Sequence, residues 1–473
     1  MLEFMTGVNA IHAPMFKLGL TPLPWLATAA EAEAADSSMV LAGVLLSLVV
    51  VYFASKLGGE LCTRINLPPV LGELVGGVVV GVSALHLIVF PGEGITADDS
   101  LIIKFLEFTA GLAPEGARAV FDSQSEVISV LSELGVILLL FEIGLESKLD
   151  ELIRVGPQAA VVAVVGVVAP FAAGTFGLVY LFGVPLIPAI FAGAALTATS
   201  IGITAKVLAE IGQLSSTEGQ IIIGAAVLDD VLGIIVLAVV ASLAKTGEVE
   251  ISNILYLIVS AGAFLIGSIL LGRYLIKPLY ENLVAEMKTR GQILLTALVF
   301  VFFLSYIATA IHLEAILGAF AAGLILAETN KRSELEKQVL PLADFLVPVF
   351  FVVVGARTDL SVLNPANPTN REGLAVAAFL IVVAIVGKVI TGFTVFGGEG
   401  KLKKLAIGVG MIPRGEVGLV FAGVGSESGV LSPSTDAAII MMVIATTFLA
   451  PPLLRIVFRD PAPTATELSE PKG

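Results

Sequence analysis

Apolar runs long enough to cross a lipid bilayer recur along almost the whole chain. About 20 apolar residues span the hydrocarbon core as an α-helix. Of the 473 residues, 57% are hydrophobic and only 14% are charged, whereas soluble domains carry about 25% charged residues. The sequence therefore predicts an all-α polytopic membrane protein of about thirteen helices, at 39–57, 69–90, 127–146, 157–182, 186–208, 218–243, 251–276, 290–311, 313–328, 339–356, 372–396, 402–427 and 434–457.

The positions of Lys and Arg predict how these helices are oriented, because both residues concentrate in cytoplasmic loops. If the first helix begins outside, 18 of the 26 Lys and Arg residues fall on the cytoplasmic side and 6 fall outside. The other two, Lys388 and Arg414, lie within predicted spans. We therefore expect the N-terminus outside and the C-terminus in the cytoplasm.

Three segments lie outside the predicted spans. Residues 1–38 form an N-terminal extension, which is either a cleaved signal peptide or a disordered or surface-lying segment. Residues 91–126 form an acidic external loop, whose amphipathic piece LIIKFLEF is expected to lie on the membrane surface. Residues 458–473 form a short cytoplasmic tail.

Two adjacent carboxylates, Asp229 and Asp230, interrupt the apolar run QIIIGAAVLDDVLGIIVLAVV. A carboxylate within the membrane costs about 2.5–3.5 kcal/mol on insertion scales and marks a pathway or a charged partner. Adjacent helical residues point about 100° apart, so the two acids cannot share one partner. We expect one acid in a buried ion pair and the other facing a water-filled cavity. A structural role for both, each in its own ion pair, is the alternative.

Polar residues interrupt two of the predicted helices. The segment before the paired acids is broken around Thr197, Thr199, Ser200 and Gly202, and the backbone groups freed there need partners. A second break, in GVGMIPRGEVGLV, is made by Pro413 and Gly415 and contains Arg414 and Glu416, which we expect to be structural charges near the crossover. Interrupted helices at corresponding positions of the two halves indicate an inverted repeat with a binding site where the breaks cross.

Other charged residues within the spans need partners. Lys388 lies deep in FLIVVAIVGKVITGF, where an unpaired ammonium would lose its proton or destabilise insertion, so one of the two aspartates is its expected partner. Glu142 and Glu73 are accessory candidates. Glu142 is equally well explained by pairing with a neighbouring helix, and Glu73 by a solvated position near the cytoplasmic end of its span.

Four segments within the apolar runs carry a family pattern: ATSIGITAKVL at 198–208, GAAVLDDVLG at 224–233, VGKVITG at 386–392 and PRGEVGL at 413–419. In this order they resemble the cation:proton antiporter-2 family, especially its NapA-like sodium/proton antiporters. The resemblance covers about residues 40–457, and LPPVLGELVGG at 67–77 and FEIGLE at 141–146 agree with it. The long 91–126 loop, the extension and the polar Glu142 depart from the family's pattern.

The resemblance implies the NhaA/NapA-like antiporter fold, an inverted repeat with two crossing discontinuous helices. Helices 1–3 (39–146) and 8–10 (290–356) would form a dimer domain. Helices 4–6 (157–243) and 11–13 (372–457) would form a moving core, which the seventh helix (251–276) joins to the dimer domain. It also implies a homodimer in which the core slides in an elevator motion.

The resemblance further implies roles for individual residues. Asp230 matches the principal acid that carries the cation and the proton, and Asp229 matches the acid bridged to the lysine at Lys388. Thr199 and Ser200 match the polar groups of the first broken helix. Asp230 and Asp229 would therefore hold the Na⁺ ion.

These observations predict a secondary transporter that exchanges Na⁺, with Li⁺ as a surrogate, for protons. One carboxylate holds either a proton or a cation, so alternating exposure of a single site couples the two gradients. A K⁺/H⁺ antiporter of the same family is the first alternative. The expected location is the inner membrane of a bacterial cell or an internal energy-transducing membrane.

A membrane-embedded enzyme is the second alternative. An intramembrane aspartyl protease needs its acids on two facing helices, and the chain contains no GxGD motif. It also contains no phosphate-binding loop, no metal-ligand spacing and no nucleophile motif. We therefore expect no catalytic residue, no cofactor and no nucleic acid partner.

Overall fold

The computed structural model describes residues 37–459, apart from 93–94, 247–250, 273, 275–276, 365–367, 397–401, 416–417, 419, 422–423 and 426–427. Most of the predicted extension and tail, at 1–36 and 460–473, lies outside these residues. The helices are α1 (Ser37–Arg64), α2 (Pro69–Val80), α3 (Leu101–Ala110), α4 (Pro114–Glu146), α5 (Leu149–Phe182), α6 (Leu186–Ala195), α7 (Ile201–Glu210), α8 (Thr217–Thr246), α9 (Ile251–Leu271), α10 (Lys277–Glu286), α11 (Gln292–Ala310), α12 (Ala315–Ala327), α13 (Arg332–Ala356), α14 (Pro368–Phe393), α15 (Lys404–Gly410) and α16 (Pro433–Phe458).

Nine of the described helices are long and apolar enough to cross a bilayer: α1, α4, α5, α8, α9, α11, α13, α14 and α16. The four remaining predicted spans correspond to α2, to α12, to the interrupted pair α6–α7 and to the interrupted segment that begins with α15. The all-helical polytopic fold predicted from the sequence is therefore confirmed.

The structure moves several predicted boundaries, and two of them move furthest. α2 ends at Val80 and not near residue 90, because Gly81 is extended (φ −87°, ψ −159°). The chain then folds back, and the N–H groups of Leu87 and Ile88 both donate to the carbonyl of Val80 at 2.9 Å. α4 begins at Pro114 and not at residue 127, because a proline is well tolerated in the first turn of a helix.

The amphipathic piece of the 91–126 loop forms α3. Ser100 caps this helix by accepting a hydrogen bond from the Ile103 N–H, and one helix face buries Ile102, Ile103 and Leu106. Phe105 and Phe108 lie on the exposed face, as expected for a helix at a membrane surface.

The packing of the helices forms two groups. In the first, α4 packs against α12 and α13, and α2 packs against α1 and α13. In the second, α5 packs against α8 and α14, and α14 packs against α16. α7 contacts both groups, through α2 and α4 on one side and α8 and α16 on the other. The assignment of these groups to a dimer domain and a moving core stays a prediction.

Glycines allow helices of the first group to approach closely, because small residues let the helix backbones come together. A Cβ atom on Gly72 would overlap the backbone of Gly58 in α1. One on Gly77 would overlap the backbone of α13 at Val352 and Gly355. The small residues of α2 therefore position α1 and α13 on either side of it.

Candidate functional site

Asp229 lies in a dry part of the helix bundle. Its side chain and that of Lys388 are both fully buried, and Lys388 Nζ donates a hydrogen bond to Asp229 Oδ2 at 2.9 Å. Gly166 of α5 leaves room for this lysine, since a Cβ atom there would lie only 3.1 Å from Nζ. The structure thus joins Asp229 and Lys388 in a buried ion pair between α8 and α14, and their part in transport stays a prediction.

Asp230 has a different environment, although it is the next residue. It is 5% exposed and lies in the wall of a cavity of about 630 Å³, here called the Asp230 cavity. Glu133 of α4, Glu314 before α12 and Arg357 after α13 line the same cavity, and all three are exposed. The cavity therefore offers water and small ions space beside Asp230, in a mainly apolar wall that carries three exposed charged side chains.

The two broken helices hold each other together where they cross. The Ser200 N–H donates to the carbonyl of Pro413 at 2.8 Å, and Thr199 Oγ1 donates to the carbonyl of Met411 at 3.2 Å. Thr204 Oγ1 donates to the carbonyl of Gly410 at 2.8 Å. Backbone groups freed by a break within a membrane need such partners, and here each break satisfies groups of the other.

The second break requires Gly415 in particular. Gly415 has φ +46°, a conformation that side chains with a Cβ atom rarely adopt. Its N–H donates to Thr447 Oγ1 of α16 at 3.1 Å, which ties the break to the last helix. Helical residues resume at 415, so the interruption is short.

Arg414 is fully buried at the crossover. Its Nη1 donates to the carbonyl of Ala198, in the first break, at 2.6 Å. Lys388 and Arg414 both interact electrostatically with Asp229. Glu416 lies outside the described residues, so its predicted role as a structural charge stays a prediction.

The accessory candidates Glu73 and Glu142 lie away from the paired aspartates, at the other end of α7. Lys206 of α7 interacts electrostatically with both of them and with Glu210. Glu73 Oε1 also accepts a hydrogen bond from Ser55 Oγ at 3.1 Å.

Glu142 lines a second cavity of about 480 Å³, here called the Glu142 cavity. Glu146 and Arg332 line it too, and Asp230 does not. The two acids of the FEIGLE segment therefore belong to a separate polar region of the protein.

Sequence reasoning missed Glu133, Glu314 and Arg357 as residues of the site. A signal existed for Glu133, which is one of three carboxylates within the third predicted span, together with Glu142 and Glu146. Arg357 gave none, because its place is defined by tertiary contacts. Its Nη2 donates to Ser129 Oγ at 2.6 Å, and its guanidinium group lies 4.4 Å from the centre of the Phe90 ring.

The arrangement can hold one cation or one proton at Asp230 while Asp229 is neutralised by buried positive charge. Carboxylate, hydroxyl and carbonyl oxygens suit hard cations. The Thr199 hydroxyl donates its proton at the crossover, but its oxygen lone pairs can still accept or coordinate. Among the described residues, no group of three or more His, Cys, Asp or Glu side chains could hold a metal ion.

Known proteins share this sequence pattern and this fold. The family described as sodium/hydrogen exchanger, transmembrane, matches residues 44–459. The high-affinity Na⁺/H⁺ antiporter NhaS3 of Synechocystis sp. is 73% identical over 440 residues, which cover 93% of this chain and 95% of that protein. The Na⁺/H⁺-K⁺ antiporter GerN of Bacillus cereus is 32% identical over 416 residues, 87% of this chain and 95% of that protein.

A solved structure supports the fold. The sodium proton antiporter MjNhaP1 of Methanocaldococcus jannaschii superposes with a TM-score of 0.56 at 18% identity, over 89% of this chain and 95% of that protein. At this identity the likeness concerns the fold alone.

Proposed function

The chain belongs to the sodium/hydrogen exchanger family, and we propose that it exchanges Na⁺ for protons at Asp230. Its activity is secondary active antiport, as for the relative that is 73% identical and named a high-affinity Na⁺/H⁺ antiporter. Li⁺ would serve as a surrogate for Na⁺. The observation that carries the site assignment is the contrast between the two aspartates, because Asp229 is paired in a dry site and Asp230 borders a cavity.

The mechanism requires only competition at one carboxylate. When Asp230 is ionised it attracts Na⁺, and when it is protonated it cannot bind the cation. The oxygens of Thr199 and Ser200 at the crossover are the proposed additional ligands. Asp229 and Lys388 neutralise each other beside the site while their ion pair is closed, so that Asp230 provides the charge that attracts the cation.

Alternating access would come from movement of the second helix group against the first. Asp230 lies on α8 of the second group, whereas α4, α12 and α13 of the first group line most of its cavity. A slide of the second group would carry Asp230 away from these helices and toward the Glu142 cavity. We propose that the first group mediates homodimer contacts within the lipid bilayer and stays fixed during this movement.

The predicted orientation places the Asp230 cavity on the outer side. α4 runs from the outside to the cytoplasm in that orientation, and Glu314 lies at the outer start of α12. Labelling of Asp98→Cys and Lys288→Cys in a Cys62→Ala background tests it, since the two cysteines should react from opposite faces of the membrane. Reaction of both from one face would contradict the proposed orientation.

Exchange by the purified protein in liposomes tests the proposed function. A pH gradient monitored with a fluorescent dye should dissipate on addition of Na⁺ or Li⁺, across a range of pH values. Liposomes without protein are the control. A protein that leaves the gradient intact with every monovalent cation would contradict antiport.

K⁺/H⁺ exchange is the second candidate. The 32% identical relative is named a Na⁺/H⁺-K⁺ antiporter, and both ions are monovalent cations that a carboxylate can bind. The higher identity to the Na⁺/H⁺ antiporter favours Na⁺. The same liposomes with K⁺ in place of Na⁺ decide between the two, because a K⁺-selective protein would respond to K⁺ at lower concentration.

A further inference from the structure

Among the described residues, Arg414 and Asp229 have complementary hydrogen-bonding groups that have no partner. Arg414 is fully buried, and its Nη1 donates to the carbonyl of Ala198. Within the part of the chain that the structure describes, Arg414 Nε and Nη2 and Asp229 Oδ1 have no hydrogen-bond partner. Two donors and one acceptor are thus left unpaired in one dry region.

Such groups are costly in a folded protein. Buried polar atoms in native structures almost always have partners, and a charged group without them loses the most. Arg414 is also suited to the missing bond, because its planar fork of donors matches a carboxylate. The two side chains already interact electrostatically, although no hydrogen bond between them is present among the described residues.

Asp229 has two positive neighbours, and among the described residues it accepts a hydrogen bond from one of them. Lys388 Nζ donates to Asp229 Oδ2, whereas Arg414 donates to the carbonyl of Ala198 in the first break. If Lys388 left Asp229 and nothing replaced it, an ionised carboxylate would remain unpaired in a dry site, which is strongly destabilising. A transport cycle in which the ion pair opens therefore needs a second partner for Asp229.

We propose that Arg414 is this second partner. Its Nε and Nη2 donate hydrogen bonds to the Asp229 carboxylate whenever Lys388 moves away from it. The proposal rests on the proposed exchange at Asp230, where an arriving cation would loosen the neighbouring ion pair. Arg414 is then a positioning residue. It keeps Asp229 ionised and in place, and it links this change to the crossover because the same guanidinium group holds the Ala198 carbonyl.

The alternative is that Arg414 only ties the two breaks together. In that case its removal would cost the same stability whether or not Lys388 is present. A partner for Asp229 would behave differently, because either Lys388 or Arg414 would be enough to hold the carboxylate and only the loss of both would leave it unpaired.

A double-mutant cycle on the full-length protein separates the two roles. The melting temperatures of the wild type, Lys388→Gln, Arg414→Gln and the double variant are measured in detergent. We expect the double variant to melt lower by more than the sum of the two single shifts. Failure of only the double variant to fold would be the same result in its extreme form. Additive shifts would overturn the proposal.

Two controls make the result specific. The excess loss should disappear when Asp229→Asn is added, because no charge then remains to be neutralised, and its persistence would overturn the proposal. Arg332→Gln should combine additively with Lys388→Gln, since Arg332 bonds Glu336 and the Glu146 carbonyl at a distant place.

If Arg414→Gln alone does not fold, Arg414→Lys takes its place with the same expectations. It keeps a donor for the Ala198 carbonyl but lacks the fork that would also reach Asp229. Exchange by the wild type in liposomes is measured in parallel. Additive melting shifts with normal exchange would reject the role of Arg414 alone, whereas absent exchange would reject the proposed function.

Discussion

Asp229 and Asp230 are neighbours in one helix and have opposite surroundings. Asp229 is fully buried and bonded to Lys388, whereas Asp230 lies in the wall of a cavity of about 630 Å³. The difference follows from helix geometry, because adjacent residues point about 100° apart. One helix can therefore present a dry, neutralised acid to one neighbour and an accessible acid to another. Under the proposed function, Asp230 takes part in the binding step and Asp229 in the charge balance.

Removal of the carboxylate on the accessible side should have the largest effect. Asp230→Asn is expected to abolish exchange while the protein still folds. A neutral amide cannot bind and release a proton in the transport cycle, and it offers no negative charge to a cation. Liposome exchange and the melting temperature are the measurements, with the exposed Asp150→Asn as the matched control. Near-normal exchange by Asp230→Asn, with an unchanged KM for the cation, would show that the two aspartates have been assigned the wrong roles.

Removal of Lys388 should change the number of protons moved in each cycle, and therefore whether transport is electrogenic, as well as its rate. If Lys388 releases a proton when the cation arrives, each cycle moves two protons against one Na⁺ and is electrogenic. If Lys388 stays charged, one proton exchanges for one cation and transport is electroneutral. We expect the electrogenic cycle, because a buried ammonium that has lost its carboxylate partner is strongly destabilised.

Lys388→Gln should therefore keep exchange at Asp230 but make it insensitive to membrane potential. Stability should fall by less than the roughly 3–5 kcal/mol that breaking a buried ion pair costs, because Arg414 remains near Asp229. Exchange in liposomes clamped at different potentials with K⁺ and valinomycin is the measurement. A wild type that is already indifferent to potential would contradict the electrogenic cycle, whatever the variant does.

The packing around the Asp229–Lys388 ion pair can also be changed without removing a charge. Gly166→Val would place carbon atoms against Lys388 Nζ, which lies only 3.1 Å from the position of a Cβ atom at Gly166. We expect a loss of about 1–3 kcal/mol in stability, as for other overpacked cores, with a slower exchange rate. In a Lys388→Gln background the loss should be smaller, and equal losses in both backgrounds would show that Gly166 does not act through the lysine.

Much of this contrast could be predicted from the sequence, since it depends on local patterns. The apolar runs predict the spans, the paired acids in one run predict a dry and an accessible acid, and the polar interruptions at 197–202 and 413–415 predict the crossover. The pairing of Lys388 with Asp229 in particular came from the family pattern, because spacing alone left both aspartates open to it.

The cavity and the unused donors of Arg414 could not be predicted in this way. Glu133, Glu314 and Arg357 lie on separate segments, and only the packing of α4, α12 and α13 brings them to one cavity. The early end of α2 depends on the extended conformation of Gly81, for which the run VGGVVVGVSALHLIV gives no signal. Features made by several distant segments need the fold, whereas features of one helix do not.

The smallest predicted effect concerns the exposed charged residues that line the Asp230 cavity. Glu133 and Glu314 interact with each other electrostatically, and Arg357 interacts with Glu133. Two exposed carboxylates in one cavity attract cations, and the attraction is screened by salt. Glu133→Gln and Glu314→Gln should each raise the KM for Na⁺ about two- to fivefold at low ionic strength, the range expected for charges separated by water.

The direction in which each substitution changes the KM for Na⁺ tests whether the Asp230 cavity guides the cation. The maximal rate should stay the same, because neither carboxylate belongs to the proposed binding group, and added salt should reduce the difference from the wild type. Arg357→Gln removes a positive charge from the same cavity and should lower the KM. Asp122→Asn, nearer the start of α4 and outside the cavity lining, should leave it unchanged. If Asp122→Asn raised the KM as much as Glu133→Gln, the whole surface would attract the cation. The cavity would then not be a preferred route for the cation to Asp230.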